Sequence, residues 1–403
     1  MSPALGNTIV IISLVVFVPL FFMKRVRASK GWQATVTPLA SIIGSGFLVS
    51  APLLVLTTGK WAGLAMFGIV LVAYFLGSVM RFNIRFLEPY LINGHSSKLI
   101  VPLERMSRPT LGIAYIISVA FYLKLLSVFA LKGVGIHSVL VENILTTSIL
   151  VIIAALGWFK GLHMLEVFEK YAVNLKIAII GSLVIGFYAF NFFEFEHDLW
   201  YLKEHKHFTS WESFRQLLGV LIIIQGFETS RYMGKLYSVQ TRIKTMRYAQ
   251  IISGFIYVTF VLSSMILFND VHTVSETAVI DLCKLIAPIL PPLLIVAAIM
   301  SQFSAAIADS IGSSGLISES TKGLISIKQG ILITVIFAVS LVWLTNVFEI
   351  IVIASKAFAI YYAMQGIISS RLAIAQGRTL PSIGFFAMFI LMLLVIFLGV
   401  PVE

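Results

Sequence analysis

Apolar runs long enough to cross a bilayer recur along the whole chain, from residue 8 to residue 400, with no hydrophilic stretch long enough for a soluble domain. The hydrocarbon core of a membrane takes roughly 17–25 residues of helix. No water is present there to pair with peptide N–H and C=O groups, so each spanning segment must satisfy its own backbone. Composition points the same way. Residues of the AVILMFWYC set make up 59% and charged residues 12%, against about 45–50% apolar and about 25% charged in soluble domains. That excludes an ordinary soluble enzyme and a disordered chain. The expected fold class is an all-α polytopic membrane protein, an integral multi-pass protein of the plasma membrane with the lipid bilayer as its partner.

An N-terminal span is expected at 8–23 and is called span 0. Spans 1 to 11 follow near 35–58, 61–80, 110–131, 144–160, 171–192, 214–236, 248–268, 288–311, 328–345, 347–372 and 382–400. The longest polar connections are 81–109 and 193–213. Span 0 lacks a basic leader and ends in Lys24, Arg25 and Arg27, which reads as a retained span rather than a cleaved signal. The only cysteine is Cys283, so no intrachain disulfide and no cysteine metal cluster can form.

The basic residues set the topology. With the end of span 0 inside, 20 Lys and Arg fall in inside loops, 6 in outside loops, and 3 (Lys124, Lys176, Lys356) within spans. Cytoplasmic loops collect basic residues, so the net charge of +11 reports orientation and not a nucleic-acid partner. Span 1 then runs from inside to outside, and the acidic Glu194, Glu196 and Asp198 lie outside, as the same rule requires.

Two spans carry glycines where a continuous helix would not want them. Span 1 contains Gly44-Ser45-Gly46 and span 6 contains Gly226 followed by Phe227 and Glu228. Each glycine costs about 1 kcal/mol relative to alanine in a helix interior. One such pair is equally well explained by close packing of small residues. Two breaks, five spans apart and crossing in opposite directions, form the inverted-repeat pattern of secondary transporters. N–H groups freed at a half-helix N-terminus can hold an anion such as a carboxylate.

The run Ser41-Ile-Ile-Gly-Ser-Gly-Phe-Leu resembles the first-helix motif of the amino acid–polyamine–organocation (APC) superfamily, and Gly226-Phe227-Glu228 resembles its sixth-helix motif. The resemblance covers spans 1 to 10. It implies a LeuT-type five-plus-five inverted repeat: 1–34 as an extra N-terminal helix with a basic linker, 35–192 and 193–377 as the two repeats, and 378–403 as a final helix. It also implies that Gly44, Ser45 and Gly46 hold a substrate carboxylate, and that carbonyls near Gln225 and Gly226 receive an amino group. Phe227, Glu228 and Tyr122 are further substrate-site candidates. Tyr232-Met-Gly-Lys-Leu-Tyr lacks the acidic pair that family members often carry after the sixth-helix motif.

Ionisable groups inside a membrane are functional suspects. The resemblance implies that Lys176, on span 5, stands where sodium-coupled relatives hold a cation, bridging span 1 to span 8, near Ala40, Ile43, Ser301 and Ser304. A buried amine there can gain and lose a proton; snorkelling to the surface is the alternative. Na⁺ needs several oxygen ligands. Ala305 stands where many sodium-coupled relatives have a second hydroxyl, and a neighbouring ammonium repels a cation. H⁺ is therefore the expected coupling ion, with Na⁺ bound by Ala40, Ile43, Ser301 and Ser304 as the alternative. Asp309 is either a proton carrier or an interfacial acid. Glu228 could bind an amine, cycle a proton, or pair with Lys124 or Arg231. Lys124 and Lys356 could pair with carboxylates, line a vestibule, or favour an anionic substrate.

No nucleophile–base pair, phosphate-binding loop or dinucleotide fingerprint appears, so no enzyme is expected. The cluster Glu204-His205-Lys206-His207, with His197 nearby, reads as a solvated loop, not a metal site. No cofactor is expected. The expected function is a secondary active transporter for an amino acid-like solute or organic anion, proton-coupled or an exchanger, working by alternating access. A sodium symporter of the same fold, and a non-transporting sensor or channel, are the rivals. An inorganic-ion carrier fits poorly, because soft ligands are absent around Gly44.

Overall fold

The computed structural model describes residues 1–402 apart from 96, 160–162, 204–210, 235 and 270–274, and leaves aside the side chains of Ser45, residues 163–170 and Ile222. The histidine loop at 204–207 lies outside the described residues. Helices follow in the order α1 Pro3–Phe22, α2 Lys24–Arg27, α3 Lys30–Ser45, α4 Phe47–Thr58, α5 Ala62–Phe82, α6 Glu88–Ile92, α7 Ile100–Gly133 and α8 Val139–Phe159. Then come α9 His163–Glu196, α10 Trp211–Val220, α11 Thr229–Tyr232, α12 Val239–Ser264, α13 Ala278–Cys283, α14 Leu290–Ser320, α15 Ile327–Leu344, α16 Val347–Ala375 and α17 Thr379–Leu398.

Among the described residues, 10 helical stretches are long and apolar enough to cross a membrane. The two expected spans that do not form one continuous helix are spans 1 and 6. Span 1 becomes α3 and α4, and span 6 becomes α10 and α11. The chain is thus an all-α, multi-pass membrane protein.

Helix starts follow from local chemistry. Ser326 and Gln329 form a reciprocal capping box at α15, and Asn346 and Glu349 form another at α16. Ser238 accepts the Thr241 N–H at the start of α12. Burial sorts the helices into centre and rim. The most apolar window of α7 is 89% buried, whereas that of α1 is 11% and those of α8 and α17 are 22%. α7 packs beside α14 and α16 at the centre. α1 lies along α9 and is pinned at both ends: Asn7 accepts the Ile289 N–H at 3.0 Å, and Phe21 stacks on Trp32, whose Nε1 donates to Asn174 at 3.1 Å.

The segment 81–109, expected as a polar connection, is largely helical. It forms a π-turn at Asn83–Leu87, then α6, then the first turns of α7, with Pro109 inside that helix. Its charges and proline suggested a loop. Glu104 is instead buried and paired, and neighbouring helices in a membrane protein make good the hydrogen bond a proline removes.

Topology is open to a direct test. In a Cys283→Ala background, Asn93→Cys should react with an impermeant thiol reagent only from the cytoplasmic side, and Glu196→Cys only from outside; both positions are exposed. The reverse labelling would invert the assigned orientation.

Candidate functional site

The first break is a single residue. α3 stops at Ser45, Gly46 takes φ −106° and ψ −5°, and α4 begins at Phe47. Side chains from three other helices meet the carbonyls around it. Lys176 Nζ, on α9, donates to Ala40 O at 2.9 Å and to Ser301 Oγ at 3.2 Å. Ser301 Oγ, on α14, lies 3.1 Å from Ile43 O and 3.4 Å from Gly44 O. Tyr257, on α12, donates to Ile42 O at 2.9 Å. Lys176 is fully buried, so it does not snorkel. Its charge sits near the C-terminal end of a half-helix, where the helix dipole favours a cation. Ser304 donates back to Ser301 O at 3.0 Å, so the hydroxyl recorded against the ammonium is that of Ser301. Asp309 is buried about two turns further along α14.

The second break is longer. α10 ends at Val220, a 3₁₀ turn covers Leu221–Ile223, and helix resumes at Thr229. Gly226 has φ +116°, a conformation that side chains rarely adopt. A Cβ there would lie 2.4 Å from Ser41 Oγ and 2.9 Å from Ile42 N. At the other break, a Cβ on Gly46 would lie 2.0 Å from Ile223 Cγ1. The two interruptions therefore touch, each packed into the space left by the other's glycine. Gly44 abuts Ala305 in the same way, with a Cβ 2.9 Å from the alanine Cβ. Close packing thus accounts for the side-chain direction of these glycines. What they leave to a ligand is backbone: the first N–H groups of α4 carry no side-chain cap.

Glu228 closes the second break from the far side. Its Oε2 accepts the Gly226 N–H at 2.9 Å and the Tyr362 hydroxyl at 2.7 Å, and its Oε1 accepts the Tyr115 hydroxyl at 3.4 Å. Among the described residues, the alternative in which Glu228 pairs with Lys124 or Arg231 is not found. Lys124 donates to Val342 O at 3.0 Å and to Thr345 O, so it caps the C-terminal end of α15. Arg231 pairs with Glu104 at 2.9 Å and donates to Gln365 at 2.5 Å. Lys356 is half-exposed on α16. Lys124 therefore aims its charge at the end of α15 and not at the breaks, so the alternative in which it favours an anionic substrate there has no basis in its contacts.

Two cavities flank the breaks, each of about 20 Å³. One holds Gly44, Phe47, Lys176, Ser301 and Gln302. The other lies between α7, the second break and α16, and is lined by Ser118, Phe121, Gln225, Ser355 and Phe358 among others. Gln225 Nε2 donates to the Tyr122 hydroxyl at 2.8 Å beside it, and Phe227 stacks on Tyr362 with centroids 5.4 Å apart. The sequence reading missed Tyr115, Tyr257, Tyr362, Ser118 and Phe358. The one available signal was spacing: Tyr115 stands seven residues before Tyr122, on one face of α7.

At the end assigned to the cytoplasm, a buried polar cluster joins α11 to the centre. Besides the Arg231–Glu104 pair, Arg242 holds Glu88 with contacts of 2.6 and 2.8 Å, and Gln365 Nε2 donates to Glu104 and Ser107 at 3.1 and 2.9 Å.

Residues 24–399 match the family described as APC superfamily transporter. A protein of Aquifex aeolicus (strain VF5), described as an uncharacterized protein, is 42% identical over 404 residues, 99% of this chain and 98% of that one. A closed structure of Mhp1, a nucleobase-cation-symport-1 family transporter with bromovinylhydantoin bound, aligns at TM-score 0.51 and 12% identity over 91% of this chain and 90% of that one. A substrate-bound, outward-open structure of a Na⁺-coupled sialic acid symporter aligns at TM-score 0.56 and 14% identity over 98% and 97%. At such identities the likeness is one of fold, the LeuT-type fold.

Three stability outcomes follow. Gly226→Ala should destabilise by at least roughly 1–3 kcal/mol, from a positive φ and a clash with Ser41. Gly46→Leu should also lower the melting temperature, since Ile223 fills the space it needs. Glu104→Gln leaves Arg231 buried without its carboxylate and should cost about 3–5 kcal/mol. Unchanged thermal unfolding of these purified variants would contradict the packing described.

Proposed function

The chain belongs to the APC superfamily of transporters, and from that premise we propose that it is a secondary active transporter of an amino acid or related small organic solute. It works by alternating access, coupled to H⁺ or to exchange rather than to Na⁺. Residues 35–192 and 193–377 serve as the two repeats. The uncapped N-terminus of α4 beside Gly46 suits a carboxylate, through freed N–H groups and the half-helix dipole. The unwound stretch at Gln225 and Gly226 offers carbonyls for an amino group.

The observation that carries the coupling is the position of Lys176. Its ammonium, hydrogen-bonded to Ala40 O and Ser301 Oγ, ties the half-helix before the first break to α14. A Na⁺ ion at the same place would need those oxygens and would meet the lysine charge a few ångströms away. An amine can also release a proton, which gives the tie a state in which it lets go. The Na⁺-coupled alternative, with Ala40, Ile43, Ser301 and Ser304 as ligands, has support in one fold neighbour being described as Na⁺-coupled.

Uptake into proteoliposomes should be unchanged when Na⁺ is replaced by K⁺ at fixed pH and voltage. Lys176→Ala should lose most transport, and Lys176→Arg should not restore it, because a guanidinium keeps its proton and needs a wider cage. Uptake that collapses without Na⁺ would make Ser301 and Ser304 sodium ligands instead. A conductance without saturable counterflow would favour a channel.

A further inference from the structure

We propose that the cavity between α7, the second break and α16 is the side-group subsite of the transported solute, and that it selects a small uncharged group bearing one hydrogen-bond donor. This rests on the transport reading above.

Gln225 is 4% exposed, and its amide is half-satisfied. Nε2 donates to Tyr122, while Oε1 has no hydrogen-bond partner among the described residues. A buried acceptor left unmade costs about 1–3 kcal/mol, so a ligand that supplies a donor recovers that cost on binding. Ser118 and Ser355 line the same cavity at 2% and 3% exposure, and neither makes a hydrogen bond among the described residues. Three uncommitted polar groups from three separate elements thus face one space of about 20 Å³. That is room for about one water, the size of a single hydroxyl or amide N–H₂. The remaining wall is apolar, with Phe121, Ile351 and Phe358 closing it.

Among the described residues, the lining contains no ionisable side chain. Two buried charges on neighbouring elements are engaged elsewhere. Lys124 faces the end of α15, and Glu228 accepts from Tyr362, Tyr115 and the Gly226 N–H. A carboxylate or guanidinium side group placed here would meet no counter-charge in the lining, and burying an ion unpaired costs several kcal/mol. The carrier therefore discriminates against acidic and basic side groups by desolvation, and between hydroxylated and purely aliphatic ones through Gln225, Ser118 and Ser355.

The test is a thermal-shift titration of the purified full chain in detergent with L-serine, L-threonine, L-alanine, L-arginine and L-glutamate. Serine or threonine should bind at least about tenfold more tightly than alanine, and arginine and glutamate should give no shift up to the highest concentration used. In Gln225→Leu and in Ser118→Ala/Ser355→Ala the preference for serine over alanine should vanish. Equal affinity for serine and alanine in the wild type, or binding of arginine or glutamate, overturns the subsite and leaves the transporter intact. Stabilisation by none of the five, together with no counterflow of any of them, overturns the amino acid reading itself. The wild-type comparison decides the matter even where a variant fails to fold.

Discussion

Every peptide group inside a bilayer must find its hydrogen bond within the protein, and this chain gives up helical pairing at two places in mid-membrane. The rest of the interior follows from how those groups are satisfied. Around Gly46, carbonyls lie against an ammonium, a phenol and a serine hydroxyl from three other helices. Around Gly226, the N–H is taken by a carboxylate two residues later in the same segment. Each solution fixes other elements. Lys176 ties α9 and α14 to α3, Tyr257 ties α12 to it, and Glu228 draws Tyr115 and Tyr362 inward from α7 and α16. These are also the more buried of the spanning helices.

The interior charges obey the same logic of mutual satisfaction. Lys124 meets the last carbonyls of α15, where the helix end is negative and a cation is favoured. Arg231 and Glu104 meet each other, with Gln365 filling the remaining sites. Such a pair adds little net stability over an apolar equivalent, but losing one member is costly. The cluster therefore specifies where α11 sits against α7 and α16 more than how tightly the fold holds.

The spans were legible in the sequence because a bilayer imposes one length and one polarity on every helix. Both breaks were legible because glycine in a helix interior needs a reason, and Gly46 and Gly226 stand at the interruptions found. Lys176 was legible by resemblance, and its tie to Ala40 is present. Partner identity was not. The role of Lys124 stayed open because sequence gives its depth but not its direction, and its target is a carbonyl more than two hundred residues away. Segment 81–109 looked like a loop because charge density cannot distinguish water from a buried counter-ion. Ser118, Ser355 and Phe358 carried no signal at all, since small and aromatic residues are ordinary on any packed membrane helix.

The two glycine contacts make the breaks mechanically one object. Ile223 occupies the space beside Gly46, and Ser41 occupies the space beside Gly226, where a side chain on either glycine would stand. Movement of α4 relative to α7 and α14 would therefore press on the unwound stretch of span 6. Lys176 touches this object on the α9–α14 side, and Gln225 belongs to it on the α7–α16 side. A change of protonation at one face and a solute at the other would thus act on one rigid unit. Packed cores are bistable rather than continuously deformable, so a unit of this kind passes between discrete positions. Coupling between the two faces then needs no chain of intermediate residues, only the shared backbone of the two breaks.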